Sequence, residues 1–318
     1  MNIAITGGTG FIGSHLVQSL VRSGHNVKIL TRDPGVKSSQ SAQVSYFYGD
    51  LGVESSLSAF VDGIDILFHC AGEVNDVSKM EGLHIHGTQN LINVVAGRIK
   101  RWVQLSSTGV YGFPRAGTIS ESSPNKPDGI YEVTKAVSDN LVIGAAEGGA
   151  FEYSILRPSV VFGSNMPNQS LFSLLNMVEA QKFFFIGPRG ASANYIHVEN
   201  VVHALNLCAF SPEADCGVFN LSDYATWEDF IGLIAKYLGV KAPVTRIPEL
   251  PVRLMVSVLK GIPGWPLRPS RIDALTTFVK FSNSRVRREL NYAPCISMEN
   301  AIADLVHNYL DRKYESKT

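Results

Sequence analysis

Residues 6–13 read TGGTGFIG, and no other stretch restricts the fold as tightly. Gly7, Gly10 and Gly13 lie between an apolar run at 2–6 and a helix-like stretch at 12–24. A strand that turns through such glycines into a helix can bring its backbone close to a pyrophosphate. The helix N-terminus then offers unpaired N–H groups and a partial positive charge. The turn therefore predicts a dinucleotide site, with Thr9, Phe11 and Ile12 beside the three glycines.

The rhythm that follows agrees. Strand-like runs at 27–31, 44–48, 64–70, 102–106 and 153–157 alternate with helical stretches at 55–61, 83–96 and 131–146. The run at 64–70 is apolar on nearly every residue, as a strand covered on both faces should be. Such alternation predicts an α/β fold, a Rossmann-type doubly wound parallel sheet. After residue 162 the pattern changes. A helix is expected at 171–180, a strand and helix at 195–210, a strand at 218–221, and proline-broken helices from 227 onward. The expected division is a dinucleotide-binding domain at 1–162 and 191–222, with a smaller, mostly helical substrate region at 163–190 and 223–318.

Bulk properties narrow the function. Of 318 residues, 45% are apolar and 18% charged, which is ample for a core, and the formal net charge is zero. A neutral chain gives no support to nucleic acid or an anionic membrane as the main partner. Cys70, Cys208, Cys216 and Cys295 form no C-x-x-C pair, and no histidines sit near them at zinc spacing, so no metal is expected. With no secretory signal before Gly7 and no apolar run long enough to span a bilayer, the expected location is cytoplasmic.

The end of the second strand bears on which dinucleotide is bound. An acid there would hold the ribose 2′-OH of NAD. This chain has Thr31, then Arg32 and Asp33. Arginine suits a 2′-phosphate, so NADP(H) is favoured; if Asp33 makes the ribose contact instead, the cofactor is NAD(H). Asp50, after the third strand, is placed to meet the adenine.

Tyr131 and Lys135 are four residues apart on an expected helix and share one face. Hydride transfer to or from a carbonyl carbon needs a partner that moves the proton on oxygen. A phenol beside an ammonium and an oxidised nicotinamide can do this. The same Y-x-x-x-K spacing recurs at Tyr237 and Lys241 and at Tyr309 and Lys313. Gly239 interrupts the first of these, and the second lies near the polar C-terminus. Only Tyr131 follows a strand that ends in hydroxyls, Ser106, Ser107 and Thr108. Ser107 is the expected group to orient a substrate oxygen, with Thr108 the alternative.

Together with GDL at 49–51, HCAG at 69–72, HGTQNL at 86–91, SSTGVYG at 106–112, YEVTK at 131–135, LRPSVVFG at 156–163, YIHVENVVHAL at 195–205 and RVRRELNYAP at 285–294, the chain resembles an extended short-chain dehydrogenase/reductase of the NAD-dependent epimerase/dehydratase type. The resemblance implies that Tyr131 is the acid/base, that Lys135 lowers its pKa and binds ribose, and that Ser107 assists. It also implies that Leu51, Cys70, Ala71, Gly72, Pro158 and Val160 line the cofactor. A homodimer through 83–96 and 131–146 is a further implication. The chain departs from the pattern at three places. Thr31 stands where NAD users often carry an acid. His84 stands where relatives often have Asn. Thr108-Gly109 replaces the Asp-Glu of sugar dehydratases, so elimination of water is not expected.

The leading expectation is an enzyme that reduces or epimerises a nucleotide-diphosphate sugar, with Asn165, Arg189, Tyr195 and Arg268 meeting the diphosphate. The alternative is a reductase or dehydrogenase of an apolar ketone or alcohol, which the apolar stretch 250–265 fits. A redox-sensing binding protein without turnover is a third reading, and the presence of both Tyr131 and Lys135 speaks against it.

Overall fold

Strand β1 (Asn2–Thr6) exposes only its first residue. Ile3 and Ile5 pack on one side of the sheet with Leu16, Leu20, Val201 and Leu205. Ala4 points to the other side, with Phe60, Leu67, Leu91, Trp102 and Val142. This two-residue alternation between two apolar layers is what a strand buried on both faces requires. β1 runs into α1 (Phe11–Arg22). Strands β2 (Asn26–Thr31) and β3 (Val44–Tyr48) extend one side of β1. The chain then returns through α2 (Ser58–Val61) to β4 (Ile66–His69) on the other side.

The computed structural model describes residues 1–35, 42–167, 169–259 and 269–315. After β4, α3 (Val77–Glu81), a π turn at Gly82–His86 and α4 (Gly87–Val95) follow without a break. The expected helix at 83–96 thus starts earlier and carries a wide turn inside it. β5 (Arg101–Leu105), β6 (Ala116–Ile119), α5 (Ile130–Glu147), β7 (Glu152–Pro158) and β8 (Val160–Phe162) come next. Then come α6 (Gln169–Glu179), β9 (Phe185–Ile186), β10 (Ser192–His197), α7 (Val198–Phe210), β11 (Gly217–Leu221) and β12 (Asp223–Thr226). The remainder is α8 (Trp227–Leu238), β13 (Arg246–Ile247), α9 (Glu249–Leu259), α10 (Pro269–Leu275), β14 (Phe278–Phe281), α11 (Ser284–Leu290) and α12 (Met298–Glu315).

The main sheet has seven parallel strands in the order β11-β7-β5-β4-β1-β2-β3. The chain builds outward from β1 in one direction and then in the other, so the switch point lies between β1 and β4. Ligands of open parallel sheets bind at the carboxyl ends of the strands on either side of such a point. The C-terminal region is less purely helical than expected. β8, β10 and β12 form a small sheet, and β6, ahead of the helix that carries Tyr131, pairs with β14. Its own core joins Leu175, Phe230, Ile234, Ile302 and Leu305, with Phe183 and Phe185 buried beside them. No helix among the described residues is long and apolar enough to cross a membrane.

Candidate active site

At the switch point a cavity of about 260 Å³ is lined by Thr6, Gly7, Thr9 and Gly10 from the first turn. Thr31 and Arg32 close it at the end of β2, Asp50 and Leu51 after β3, and Ala71 and Gly72 after β4. Its glycines are needed for space. Gly7 has φ +70°, and a Cβ there would come within 2.7 Å of the Ala71 nitrogen. A Cβ on Gly13 would come within 2.1 Å of the Gly7 carbonyl oxygen. Gly10 begins α1 with no side-chain cap and no acid in the first turn, so the helix N-terminus stays open to an anion. These features fit a dinucleotide pyrophosphate.

The other candidates near the cleft divide. Phe11 and Ile12 lie in the first turn of α1, and Phe11 packs edge-on against His15. Asp33 spends its carboxylate on the Gly35 N–H and is not part of the cleft wall, whereas Arg32 is. Asp50 accepts from the Gly52 N–H, which holds it at the rim. The backbone of Cys70 bonds Thr6, and burial pushes its thiol up to about 12. Pro158 is buried at the end of β7. Val160 departs from expectation: it lines a second, apolar cavity rather than the dinucleotide cleft.

Tyr131 opens α5, and Lys135 lies fully buried one turn further on. The Lys135 ammonium donates to the Leu105 carbonyl at 2.6 Å. Burial lowers its pKa, and the nearby Asp139 carboxylate opposes that. Tyr131 is pushed up to about 12, first by burial and then by the charge of Glu132, while a hydrogen-bonding contact with Ser107 pulls the other way. In this state burial outweighs the Ser107 contact that would acidify the phenol. Ser107 is itself fixed, because it caps the short turn Thr108–Tyr111 by accepting from the Gly109 N–H at 3.0 Å.

A chain of buried hydrogen bonds runs beneath this group. The Thr6 hydroxyl bonds His69 Nδ1 at 2.7 Å, and His69 Nε2 bonds Thr88 at 3.0 Å. Thr88 also meets Ser138 on α5, at 2.9 Å, and donates to the His84 carbonyl at 2.6 Å. The single Thr88 proton is thereby committed, so His69 and Ser138 must both donate to it. His69 is fully buried and held down to about 3 by burial and by the Lys135 charge, so it stays neutral. The glycine turn, the π turn and α5 are thus tied in one polar network.

The second cavity, about 620 Å³, adjoins the start of α5. Phe113, Val160, Tyr195, Trp227, Val279 and Phe281 give it an apolar lining, and Tyr195, Trp227 and Ala274 separate it from a smaller apolar chamber of about 170 Å³. Its one cation among the described lining residues, Arg115, pairs with Asp273 at 2.9 Å. Tyr131 is not among the residues that line either cavity, but its neighbours reach both. On one side its ring meets His84, which is bonded to Glu73 next to Gly72 of the cleft. On the other, Asp128, three residues before it, lines the apolar space.

The expected diphosphate group is not assembled there. Arg189 lines a different, small cavity with Glu228 and Arg246. Asn165 is exposed in the loop after β8 with φ 63° and lines neither space. Of these candidates Tyr195 does line the apolar cavity, stacked on Phe230. Thr108 is buried, and Arg268 lies outside the described residues. The two decoy pairs also resolve. α8 ends at Leu238 before Gly239, and the Tyr309 phenol is buried, donating to Glu179, not loose near the terminus. Sequence reasoning missed Asp139 and Arg157, buried and paired at 3.1 Å. The available signals were an acid four residues beyond Lys135 and an arginine inside an apolar strand.

The model of the NAD dependent epimerase/dehydratase family matches residues 3–221, more than half of the chain. The chain belongs to this family. It is an NAD(P)-dependent enzyme of the short-chain dehydrogenase/reductase type. Curated relatives include 3beta-hydroxysteroid-dehydrogenase/decarboxylase isoform 2 of Arabidopsis thaliana, 27% identical over 96% of this chain. This chain spans 61% of that relative. Another is the 3 beta-hydroxysteroid dehydrogenase/Delta 5-->4-isomerase of Mycobacterium tuberculosis, 25% identical over 97% of this chain and 90% of its own. Among solved structures, UDP-glucuronic acid 4-epimerase from Bacillus cereus in complex with NAD superposes with a TM-score of 0.76 at 19% identity, covering 99% of this chain and 100% of its own. At that identity the likeness is one of fold.

Proposed function

We propose that this member of the epimerase/dehydratase family is an NADP(H)-dependent reductase or dehydrogenase of an apolar ketone or alcohol. The observation that carries this reading is the cavity beside α5. It is walled by Phe113, Val160, Tyr195, Trp227 and Phe281, and its single described cation is already neutralised by Asp273. A diphosphate there would lose its water without gaining an unpaired positive partner, which is costly. A fused-ring alcohol or ketone would exchange apolar surface for apolar surface, and the volume suits a molecule of that size. The two hydroxysteroid-named relatives support the same class.

Bound NADP(H) supplies or accepts the hydride at the carbonyl carbon. The chain's own residues handle the rest. Tyr131, kept protonated by burial, gives its proton to the oxygen in reduction and takes it back in oxidation. Ser107, held by Gly109, orients that oxygen. Lys135, beneath them, keeps positive charge near the phenol, which favours the phenolate formed when the proton leaves. Arg32 on the cleft wall, with Thr31 in place of an acid, supports NADP(H) over NAD(H).

The test is to incubate the protein with NADPH and a saturated 3-ketosteroid, and in parallel with NADP+ and UDP-glucose. Nicotinamide absorbance and product identity are then followed. Steroid reduction that disappears in Tyr131→Phe is expected. Epimerisation of the nucleotide sugar without net reduction of NADP+ would overturn the reading.

A further inference from the structure

His84 occupies the middle of the π turn, where Gly87 N–H reaches back to the Gly82 carbonyl. It is 1% exposed, and both ring nitrogens are used. Nε2 accepts from the Glu73 N–H at 2.9 Å. Nδ1 lies 2.8 Å from the Thr134 hydroxyl, whose own proton goes to the Tyr131 carbonyl at 3.0 Å. With Nε2 accepting and the Thr134 proton committed, the ring must be neutral and carry its hydrogen on Nδ1. Its edge also meets the Tyr131 ring at 5.6 Å between centroids, with the planes at 80°. The backbone is pinned as well, since its carbonyl receives the Thr88 hydroxyl.

We propose that His84 is a positioning residue. It clamps the 72–73 wall of the cofactor cleft to the first turn of α5 and so sets where the Tyr131 phenol stands relative to a bound nicotinamide. The inference builds on Tyr131 as acid/base. An imidazole suits the task because its two nitrogens act at different distances from the backbone, one donating and one accepting. Asparagine puts a donor near the place of Nδ1 but has no atom as far out as Nε2. Glutamine keeps an acceptor at the outer place and loses the donor at the inner one. Each substitution therefore keeps one half of the clamp.

A positioned acid/base acts on the chemical step and leaves cofactor binding largely alone. In NADPH-dependent reduction of a 3-ketosteroid, His84→Asn and His84→Gln should each lower kcat by about tenfold to a hundredfold, the loss that a misplacement near 1 Å produces. KM and the NADPH dissociation constant should move by less than about threefold, and His84→Ala should lose more than either. Unchanged kcat, or a kcat loss matched by lost NADPH affinity, overturns the inference. A second readout needs no substrate: the ring 15N shifts of His84 should report a protonated Nδ1 and a bare Nε2, and the reverse tautomer overturns the clamp. Tyr131→Phe, run in parallel, separates the two claims. If that variant turns over like the parent, the acid/base assignment fails, and the nitrogen spectra still judge the clamp.

Discussion

Nε and Nη2 of Arg157 both stand 3.1 Å from the same oxygen, Oδ2 of Asp139, joining the end of β7 to the middle of α5. Ser106 donates to that oxygen as well, at 2.8 Å, while the other carboxylate oxygen has no hydrogen-bond partner among the described residues. Burial raises the Asp139 pKa, and Arg157 is the main force against that. Arg157→Met should therefore destabilise the fold by roughly 3–5 kcal/mol, because it leaves a buried acid without its counter-charge. Urea unfolding would measure this. A loss below about 1 kcal/mol would mean that the pair does not hold α5 against the sheet.

Arg32 offers a direct check on the cofactor. Arg32→Ser should weaken NADPH binding by about tenfold to a hundredfold, the range that losing a charge-assisted hydrogen bond produces, and should leave NADH nearly unchanged. Equal weakening of both by calorimetric titration would place the 2′-phosphate elsewhere.

Buried histidines predict an acid-sensitive fold. His69 is held down to about 3 and His84 to about 4, in both cases first by burial. The unfolded chain protonates these rings near the ordinary imidazole value of about 6.5, and the folded chain does not. Their contribution to stability is therefore complete above that value and declines as the pH falls toward the folded values. Each pH unit within that window costs roughly tenfold in the folding constant per ring. Asp139 and Asp223, both raised by burial, work in the opposite sense at more acid pH. Tm should fall between pH 7 and about pH 5, and a flat profile there would contradict the neutral, buried state of both rings.

Four charges close a ring at the rim of the apolar cavity. Arg115 reaches Asp273 at 2.9 Å and Glu249 at 3.8 Å, and Arg253 reaches the same two acids at 2.8 and 2.6 Å. All four are at least 30% exposed, so their net contribution to stability is under about 1 kcal/mol. The ring does fix α9 and α10 against the loop that follows Gly112. Asp273→Asn should leave Tm nearly unchanged and raise KM for an apolar substrate, while making KM less sensitive to salt. A Tm drop with KM intact would assign the ring to folding instead.

The sheet was legible because its strands announce themselves: Ile66–His69 is buried at every residue, and a short apolar run of this length suits a strand covered on both faces. The Gly7, Gly10 and Gly13 turn was legible because its need for space is written in single residues. Ala116–Ile119 was not. Three of its four residues are exposed, so it carries no apolar pattern, and its partner strand begins at Phe278. The π turn was hidden for a related reason, since its contacts, the Thr88 hydroxyl on the His84 carbonyl and Leu51 close against Gly87, are not written in a run of residue types. The diphosphate group expected from the sequence is not gathered in one cavity among the described residues. The Arg189 guanidinium marks it as a phosphate ligand by charge, and charge alone does not say which cavity a loop will face.

The pairing of Ala116–Ile119 with Phe278–Phe281 makes the two portions of the chain inseparable. A fragment stopped after Leu221 would not be a minimal nucleotide-holding module. It would carry a bare ribbon of unsatisfied amides just downstream of Ser107, an edge open to self-association. The late strand is thus a brace supplied in cis, and whatever alters the C-terminal region is transmitted through it toward the turn that Ser107 caps.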